Sequence, residues 1–481
     1  MNRIPAQEIT QEDIDSRVFN LYEKKEKIYT RRMEGLFQTI RLFTGWPLLL
    51  AYFLAPWLQL EGRQAILFDL PARKFHIFWL TLWPQDFVLL MWTLAIAAFA
   101  LFFITTLWGR VWCGYTCPQT IWTAIFMWAE QITEGERNQR IKLDGTPSLF
   151  SRDGWNRAGW NKFWKRGLKH GMWLGFAALT GITFIGYFYD IRQLLMDALA
   201  WQLPLVTVAW CLFFTLATYI NAGWLREHVC IYMCPYARFQ SAMFDRDTLI
   251  ISYDEARGEA RGSRKRNSDY QAMGLGDCID CTLCVQVCPT GIDIRDGLQY
   301  ECIGCAHCID ACDSIMSKMN YPKGLISYTT QNRLEGGSWT WKRPKLIAYG
   351  GALLLMLFMF ALVLLTRTPL SIDVLRDRGT LYQEVAGGLI ENVYTLKIIN
   401  MENQPRSYEL LIDGLPEATL LPGNTIQMDA GSIDEMLVRI QLNPDLLADF
   451  NTPFRFIINS TESGKQVSAS AESRFIGPRP L

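Results

Sequence analysis

Five stretches of the chain, 42–60, 87–108, 171–189, 201–225 and 346–366, are apolar over a length that can cross a bilayer, which takes about 20 residues. The second carries no charge, and the fifth is an uninterrupted apolar run bounded by Lys345 and Arg367. The first contains Pro47 and Pro56. The third contains Gly171, Gly175, Gly181 and Gly186, small residues that let helices approach closely in lipid. Beyond residue 367 the pattern changes period. Apolar residues alternate with polar ones in 392–399, 407–412, 436–442 and 454–458, separated by Gly, Pro and Asn. That spacing predicts short strands of an antiparallel β-sandwich. The expected architecture is a multi-domain membrane protein. An α-helical bundle of about five spans holds an inserted dicluster ferredoxin-like α+β segment, and a C-terminal all-β sandwich follows.

The positions of lysine and arginine orient the spans. Residues 1–41 carry 8, residues 109–170 carry 10 and residues 221–345 carry 15, against 3 in 61–85 and 1 in 188–200. The excess predicts a cytoplasmic N-terminus, cytoplasmic 109–170 and 221–345 segments, and a C-terminal domain outside. The first 35 residues are polar and charged without a signal-peptide pattern, so the first span is expected to remain as an anchor. The expected divisions are an N-terminal segment 1–41, a four-span domain 42–250, a ferredoxin-like domain 251–345, a fifth helix 346–366 and a sandwich 367–481.

With 50% hydrophobic residues, 18 Trp and 27 Phe, the chain is too apolar for a simple soluble electron carrier. Its formal net charge of zero gives no electrostatic reason to expect nucleic acid as a partner. All 13 cysteines lie before residue 313, and neither expected outer loop has any. They therefore fall in the membrane or on the reducing side, in agreement with the charge bias.

The cysteines carry the chemistry. Cys278, Cys281, Cys284 and Cys288, followed by Pro289, and then Cys302, Cys305, Cys308 and Cys312, form two C-x2-C-x2-C-x3-C runs. In that pattern the fourth cysteine of each run serves the other cluster. The ligand sets are then Cys278, Cys281, Cys284 and Cys312 for one [4Fe-4S] cluster, and Cys302, Cys305, Cys308 and Cys288 for the second. A zinc site takes only four ligands, usually in two pairs, and does not account for eight so regularly spaced. Asp313 stands where proline is usual, and Thr282 and Ala306 stand where glycine is common.

A second pattern repeats inside the membrane part. Trp108-Gly-Arg110 leads to Cys113-Gly-Tyr-Thr-Cys117-Pro118, and Trp224-Leu-Arg226 leads to Cys230-Ile-Tyr-Met-Cys234-Pro235. Either the pairs are helical, with i and i+4 on one face, or each straddles the end of one helix and the start of the next, since proline disfavours helix at the residue before it. Both geometries bring two sulfurs together, in a setting that suits Cu(I), zinc or a further cluster. Met233 and His228 are candidate additional ligands, or packing and surface residues. Cys211, alone in a span, reads as a small hydrophobe. His307 reads as a packing or tuning residue, and His76 as a lipid or partner contact. His170 with Lys165, Arg166 and Lys169 reads as a juxtamembrane basic face, and the five basic residues of 257–266 as a solvated linker.

The full order of elements resembles the FixG/CcoG family of cytochrome c oxidase accessory proteins, membrane polyferredoxins of cbb3-type oxidase assembly. The resemblance includes Gly62-Arg-Gln-Ala65, Trp83-Pro-Gln-Asp86 and Gly291-Ile-Asp-Ile294. It implies an immunoglobulin-like C-terminal domain and a bacterial inner-membrane location with that domain periplasmic. It also implies reduction of Cu(II) to Cu(I) for the oxidase, and the leading hypothesis places that copper near Cys113, Cys117, Cys230 and Cys234. The implied partners are a cytoplasmic electron donor and oxidase assembly factors or copper chaperones. One alternative is an electron conduit to the quinone pool or another reductase, marked by quinone reduction without bound copper. Another is a non-enzymatic assembly scaffold or redox sensor, marked by no turnover.

Overall fold

The computed structural model describes residues 27–481 apart from 61, 150–154, 267, 271, 378, 403, 448, 461–466 and 479–481. Among these, three helices are long and apolar enough to cross a membrane: Pro84–Trp108, Leu205–Leu225 and Pro344–Leu365. They correspond to the second, fourth and fifth expected spans. The other two expected spans fold as helices that fall short of that standard. Leu36–Leu54 starts before residue 42, takes in Arg41, and gives way at Ala55–Trp57 to a tight turn and then the strand Gln59–Leu60, so the expected 42–60 is displaced. Pro56 is the physical reason, because it has no N–H to continue the ladder. Arg157–Ile185 carries five basic residues up to Lys169, which leaves only its second half apolar. Of the four glycines there, Gly181 meets a neighbouring helix, where an added Cβ would lie 2.7 Å from Thr215 Oγ1, while Gly171 and Gly175 face open space.

Contacts divide the chain into two compact units, residues up to 56 with 101–349, and residues 57–100 with 350–481. The first unit therefore joins membrane helices and the cysteine-rich segment, which the sequence reading had divided at residue 250. Its ferredoxin part is built on the antiparallel pair Ile250–Tyr253 and Ile326–Thr329. Ile251, Tyr253, Ile294, Ile309, Met316, Leu325 and Ile326 fill its core, with Cys278, Cys284 and Cys308 at the edge. Phe37 of the helix Leu36–Leu54 packs on the same core.

In the second unit two antiparallel sheets face each other. One has the order Thr419–Leu421, Ile433–Leu442, Leu389–Asn400 and Leu370–Arg376, with Gln383–Val385 also paired to Leu389–Asn400. The other has the order Thr425–Met428, Arg406–Asp413, Asn451–Ser460 and Ser468–Ile476. The residues that alternate in the sequence are those that bury: Tyr394, Leu396, Ile398, Tyr408, Leu410, Val438, Ile440, Phe456 and Ile458 are sealed in one core. Ser468–Ile476 gave little signal because its inward positions include Ala469 and Ala471, too small to stand out.

The loop 61–85 is structured. Three short strands, Ile66–Asp69, Lys74–Ile77 and Leu80–Leu82, form a sheet, and Lys74 donates to Gly431 O at 2.8 Å. Arg367 pairs with Asp86 at 2.5 Å, both largely buried. His76 sits half-buried against Arg63 and Thr81, and burial and then the Arg63 charge push its pKa down to about 4. It is thus a neutral structural residue of the loop.

Candidate iron–sulfur and thiol site

The two halves of the ferredoxin segment fold alike. In each, the residue after the second cysteine has left-handed backbone, Thr282 at φ 55° and Ala306 at φ 60°, and opens a helix, Leu283–Gln286 or His307–Met319. That is why glycine is common at these positions, since it alone adopts such backbone without cost. Two residues earlier the backbone is again left-handed, at Asp280 and Gly304. Asp313 is explained too. It lies inside His307–Met319, where proline would break the ladder, and its carboxylate accepts from Gly324 N at 2.9 Å.

Cys278, Cys281, Cys284 and Cys312 line one pocket, walled by Tyr253, Leu283, Met316 and Ile326. Cys312 has Cys284, Cys278 and Cys281 as its sulfur neighbours. Cys308 has Cys305, Cys302 and Cys288 as its own, followed by Cys284 of the other set. Cys312 thus lies with the cysteines of the first run, and Cys288 with those of the second. Among the described residues no three His, Cys, Asp or Glu side chains close around a single metal ion. Four sulfurs that each bind a different iron of a cluster do not need to converge on one point, and a cradle bordered by four thiols fits such a group. Burial pushes the Cys284, Cys302 and Cys312 thiols up to about 12, so loss of their protons is coupled to metal binding. Each set has two buried cysteines, Cys278 and Cys284 in one and Cys305 and Cys308 in the other, and the first alone has an exposed one, Cys281.

The membrane cysteines form one group. Cys117 and Cys234 immediately precede the prolines that open Pro118–Glu134 and Pro235–Met243, with ψ of 126° and 111°. Of the two expected geometries, each pair therefore straddles a helix junction. Cys113 has Cys117 and Cys230 as neighbours, and Cys230 has Cys117 and Cys234. Burial, reinforced by these thiols, pushes Cys113 up to about 12 and Cys230 to about 11. The Gln240 amide, fully buried, lies 3.6 Å from Cys113 Sγ. Its role was not visible in the sequence. Backbone bonds from Arg226 N to Asn221 O and from Cys234 N to Val229 O mark two wide π-type turns, the second containing Cys230, a distortion frequent at functional sites. His228 Nδ1 lies 3.1 Å from Leu225 O and Met233 is exposed, so the structure ties neither to the four sulfurs. Cys211 packs with Ile182, Ile185 and Phe214 as a small hydrophobe.

The four-thiol group adjoins the second cluster set through backbone. A Cβ on Gly114 would lie 2.7 Å from Gly304 O and 3.0 Å from Cys305 Cα, so only glycine permits the approach. Gly304 occupies the place that Asp280 holds in the first half, and a Cβ there would lie 3.1 Å from Arg110 O. Tyr328 donates to Gly304 O at 2.7 Å, and Arg41 donates to Gly114 O at 2.9 Å while also contacting His307. His307 is held between Arg41 and Gln38, and burial and then the Arg41 charge push its pKa down to about 3.

Of the basic residues read as a surface face, Lys169, Arg166 and His170 have partners within the protein. Lys169 bonds Glu134 at 2.9 Å, Arg166 bonds Asp144 at 2.5 Å, and His170 meets Tyr219 Oη at 2.8 Å between Trp173 and Trp224. Glu130 sits at the centre, 2.5 Å from Arg226 and 3.1 Å from Arg140. Burial alone would raise its pKa, but Arg226, Lys169 and Arg140 hold it below the usual carboxylate range. The 257–266 run is likewise bonded, with Arg257 on Asp277 at 2.5 Å and Arg264 on Gly276 O at 2.6 Å, packed over Tyr270. These residues brace the flank of Cys278.

Known proteins resemble this chain over most of its length. Residues 225–331 match the family model of a 4Fe-4S dicluster domain, and residues 90–132 match that of a 4Fe-4S binding domain. Residues 360–478 match the IG-like fold at the C-terminus of FixG. The nitrogen fixation protein FixG of Rhizobium meliloti is 37% identical over 437 residues, covering 83% of this chain and 82% of the relative. The chain belongs to the FixG family. Protein RdxA of Cereibacter sphaeroides is also 37% identical, covering 82% of this chain and 84% of its own. The crystal structure of a FixG-related protein from Vibrio parahaemolyticus aligns at 32% identity and TM-score 0.21, covering 23% of this chain and 97% of that one. The chain is therefore a FixG-family iron–sulfur membrane protein with electron-transfer domains and an immunoglobulin-like C-terminal region.

Separate loss of the two cluster sets follows from their segregation. Cys281→Ser is expected to remove about four of eight irons while the second set stays loaded, and Cys308→Ser the converse. Iron and sulfide analysis with EPR of each variant checks this.

Proposed function

We propose that this protein reduces Cu(II) to Cu(I) at Cys113, Cys117, Cys230 and Cys234, with electrons from a cytoplasmic donor, in support of cbb3-type oxidase assembly. The observation that carries the reading is the backbone contact of Gly114 with Gly304 and Cys305, beside four clustered thiols. The iron–sulfur groups, when bound, supply one-electron storage and transfer. The exposed Cys281 edge suits approach of a donor, and the contact of the second set's loop with Gly114 suits handover to the thiols. Thiolates are soft ligands that favour Cu(I) over Cu(II), so the site itself biases the reduction. The Lys and Arg excess supports a cytoplasmic site and N-terminus, with the C-terminal domain periplasmic, in a bacterial inner membrane spanned about five times. Oxidase assembly factors or copper chaperones are the proposed recipients.

A second reading has a specific observation behind it. The 4Fe-4S binding model extends over residues 90–132, which include Cys113 and Cys117. On that reading the four thiols hold a third cluster, and the chain is an electron conduit to quinone. One experiment separates the two. Anaerobically purified protein is analysed for iron, then supplied with a low-potential donor and either Cu(II) with a Cu(I) chelator or a water-soluble quinone. Copper reduction with about eight irons supports the proposal, while about twelve irons and quinone reduction alone contradict it.

Gly114→Val tests the contact itself. Its side chain displaces the Cys113–Cys117 turn from Gly304, so Cu(I) formation is expected to fall about 100-fold with both clusters loaded, because small misplacements are costly in a reacting pair. The chelator assay reads this, and wild-type turnover in the variant would refute it.

A further inference from the structure

We propose that Arg110 is the positioning residue that holds the four-thiol group in register with the Cys302–Cys308 loop and raises the reduction potential on that side. The inference rests on the reading above, since it assigns a role within the same site. Arg110 stands where three elements meet. Its guanidinium donates to Tyr300 O and, at 3.2 Å, to Cys302 O in the cluster loop. It also donates at 2.8 Å to Ala237 O of Pro235–Met243, the helix opened by the second Cys-Pro step. Its own helix, through Val111–Tyr115, carries Cys113. One side chain thus ties both repeated motifs to the second cluster set.

Its charge reaches the same three places, acting on Cys113, Cys230 and Cys302. Among the described residues its three hydrogen-bond partners are carbonyl oxygens, which do not neutralise the positive charge. Arg226 holds the corresponding place in the second repeat and is used differently, paired with Glu130 at 2.5 Å. The repeated Trp-x-Arg signature therefore divides its labour: Arg226 neutralises a buried carboxylate, and Arg110 presents a cation between sulfurs. A guanidinium suits this role because its planar fork serves several carbonyls at once and stays charged at every accessible pH. Reduction adds negative charge at a cluster, and nearby charge sets its potential, so a cation there favours the reduced form.

The test uses the full-length protein, purified anaerobically, in EPR-monitored redox titrations of wild type, Arg110→Gln and Arg110→Lys. R110Q is expected to move one of the two midpoint potentials to a more negative value and leave the other in place. R110K, which keeps the charge but not the fork, is expected to retain both potentials yet form Cu(I) several-fold more slowly. Unchanged potentials in a loaded R110Q, or equal shifts of both, overturn the inference. If R110Q does not load, R110K carries the test, and wild-type Cu(I) formation in it refutes the positioning role. The titrations contain no copper, so a selective potential shift in a protein that never reduces copper would sustain this inference while removing the reading beneath it.

Discussion

Serine at Cys113, Cys117, Cys230 and Cys234 together is expected to lower copper reduction by at least about 100-fold and leave the eight cluster cysteines loaded. Loss of even a supporting group around a metal costs about 10- to 100-fold, and here the soft ligands themselves are removed. The effect is this large because the four sulfurs form one group. Cys117 neighbours both Cys113 and Cys230, and Cys234 neighbours Cys230. Single replacements should then not behave as two independent pairs: Cys117→Ser, at the junction, is expected to cost more than Cys234→Ser. Chelator-detected Cu(I), normalised to cluster content by visible absorbance, checks both statements. Equal effects of all four single changes would point to a different arrangement.

The second large effect is on stability. Glu130→Ala is expected to destabilise the protein by about 3–5 kcal/mol, the range for breaking a buried ion pair so that the remaining charges lack a partner. Glu130 is 1% exposed and joins Arg140, Arg226 and Lys169. Arg140 also donates to Thr30 O, so the carboxylate indirectly secures the segment leading into Leu36–Leu54. Thermal unfolding in detergent, followed by tryptophan fluorescence, measures the loss. A melting temperature unchanged from wild type would show that solvent reaches this cluster and that its charges are not confined. Arg226 begins the segment that holds Cys230, so E130A is also expected to loosen the four-thiol group.

These two cases differ in how far the sequence alone announces them. Cluster ligands are legible because spacing in the chain fixes which cysteines share a loop, and the crossing of Cys288 and Cys312 between sets follows the same rule. Strands such as Leu389–Asn400 and Ile433–Leu442 are legible because alternate residues face a common core. The ion cluster is not, because Glu130 and Arg226 lie 96 positions apart and no periodicity links them. Arg110 appears in the repeated motif, but only its long-range bonds to Tyr300 and Cys302 distinguish it from Arg226. Gly304 left a faint trace: it stands where the first cysteine run has Asp280, and the close approach of Gly114 is the reason. The end of the first expected span at residue 60 was misplaced because hydrophobicity continues through Trp57 and Leu58, whereas the backbone turns at Pro56.

The central claim is that four membrane-edge thiols and the adjacent iron–sulfur set act as one electron-transfer site for copper. Stopped-flow mixing of anaerobically reduced protein with Cu(II) and a Cu(I) chelator tests it most directly, with the iron–sulfur and Cu(I)-chelate absorbances followed together. The account predicts that both signals rise with one rate constant in the wild type and that both are lost when the four thiols are serine. An identical trace in the four-serine protein, or Cu(I) appearing while the iron–sulfur absorbance stays at its reduced level, would contradict it.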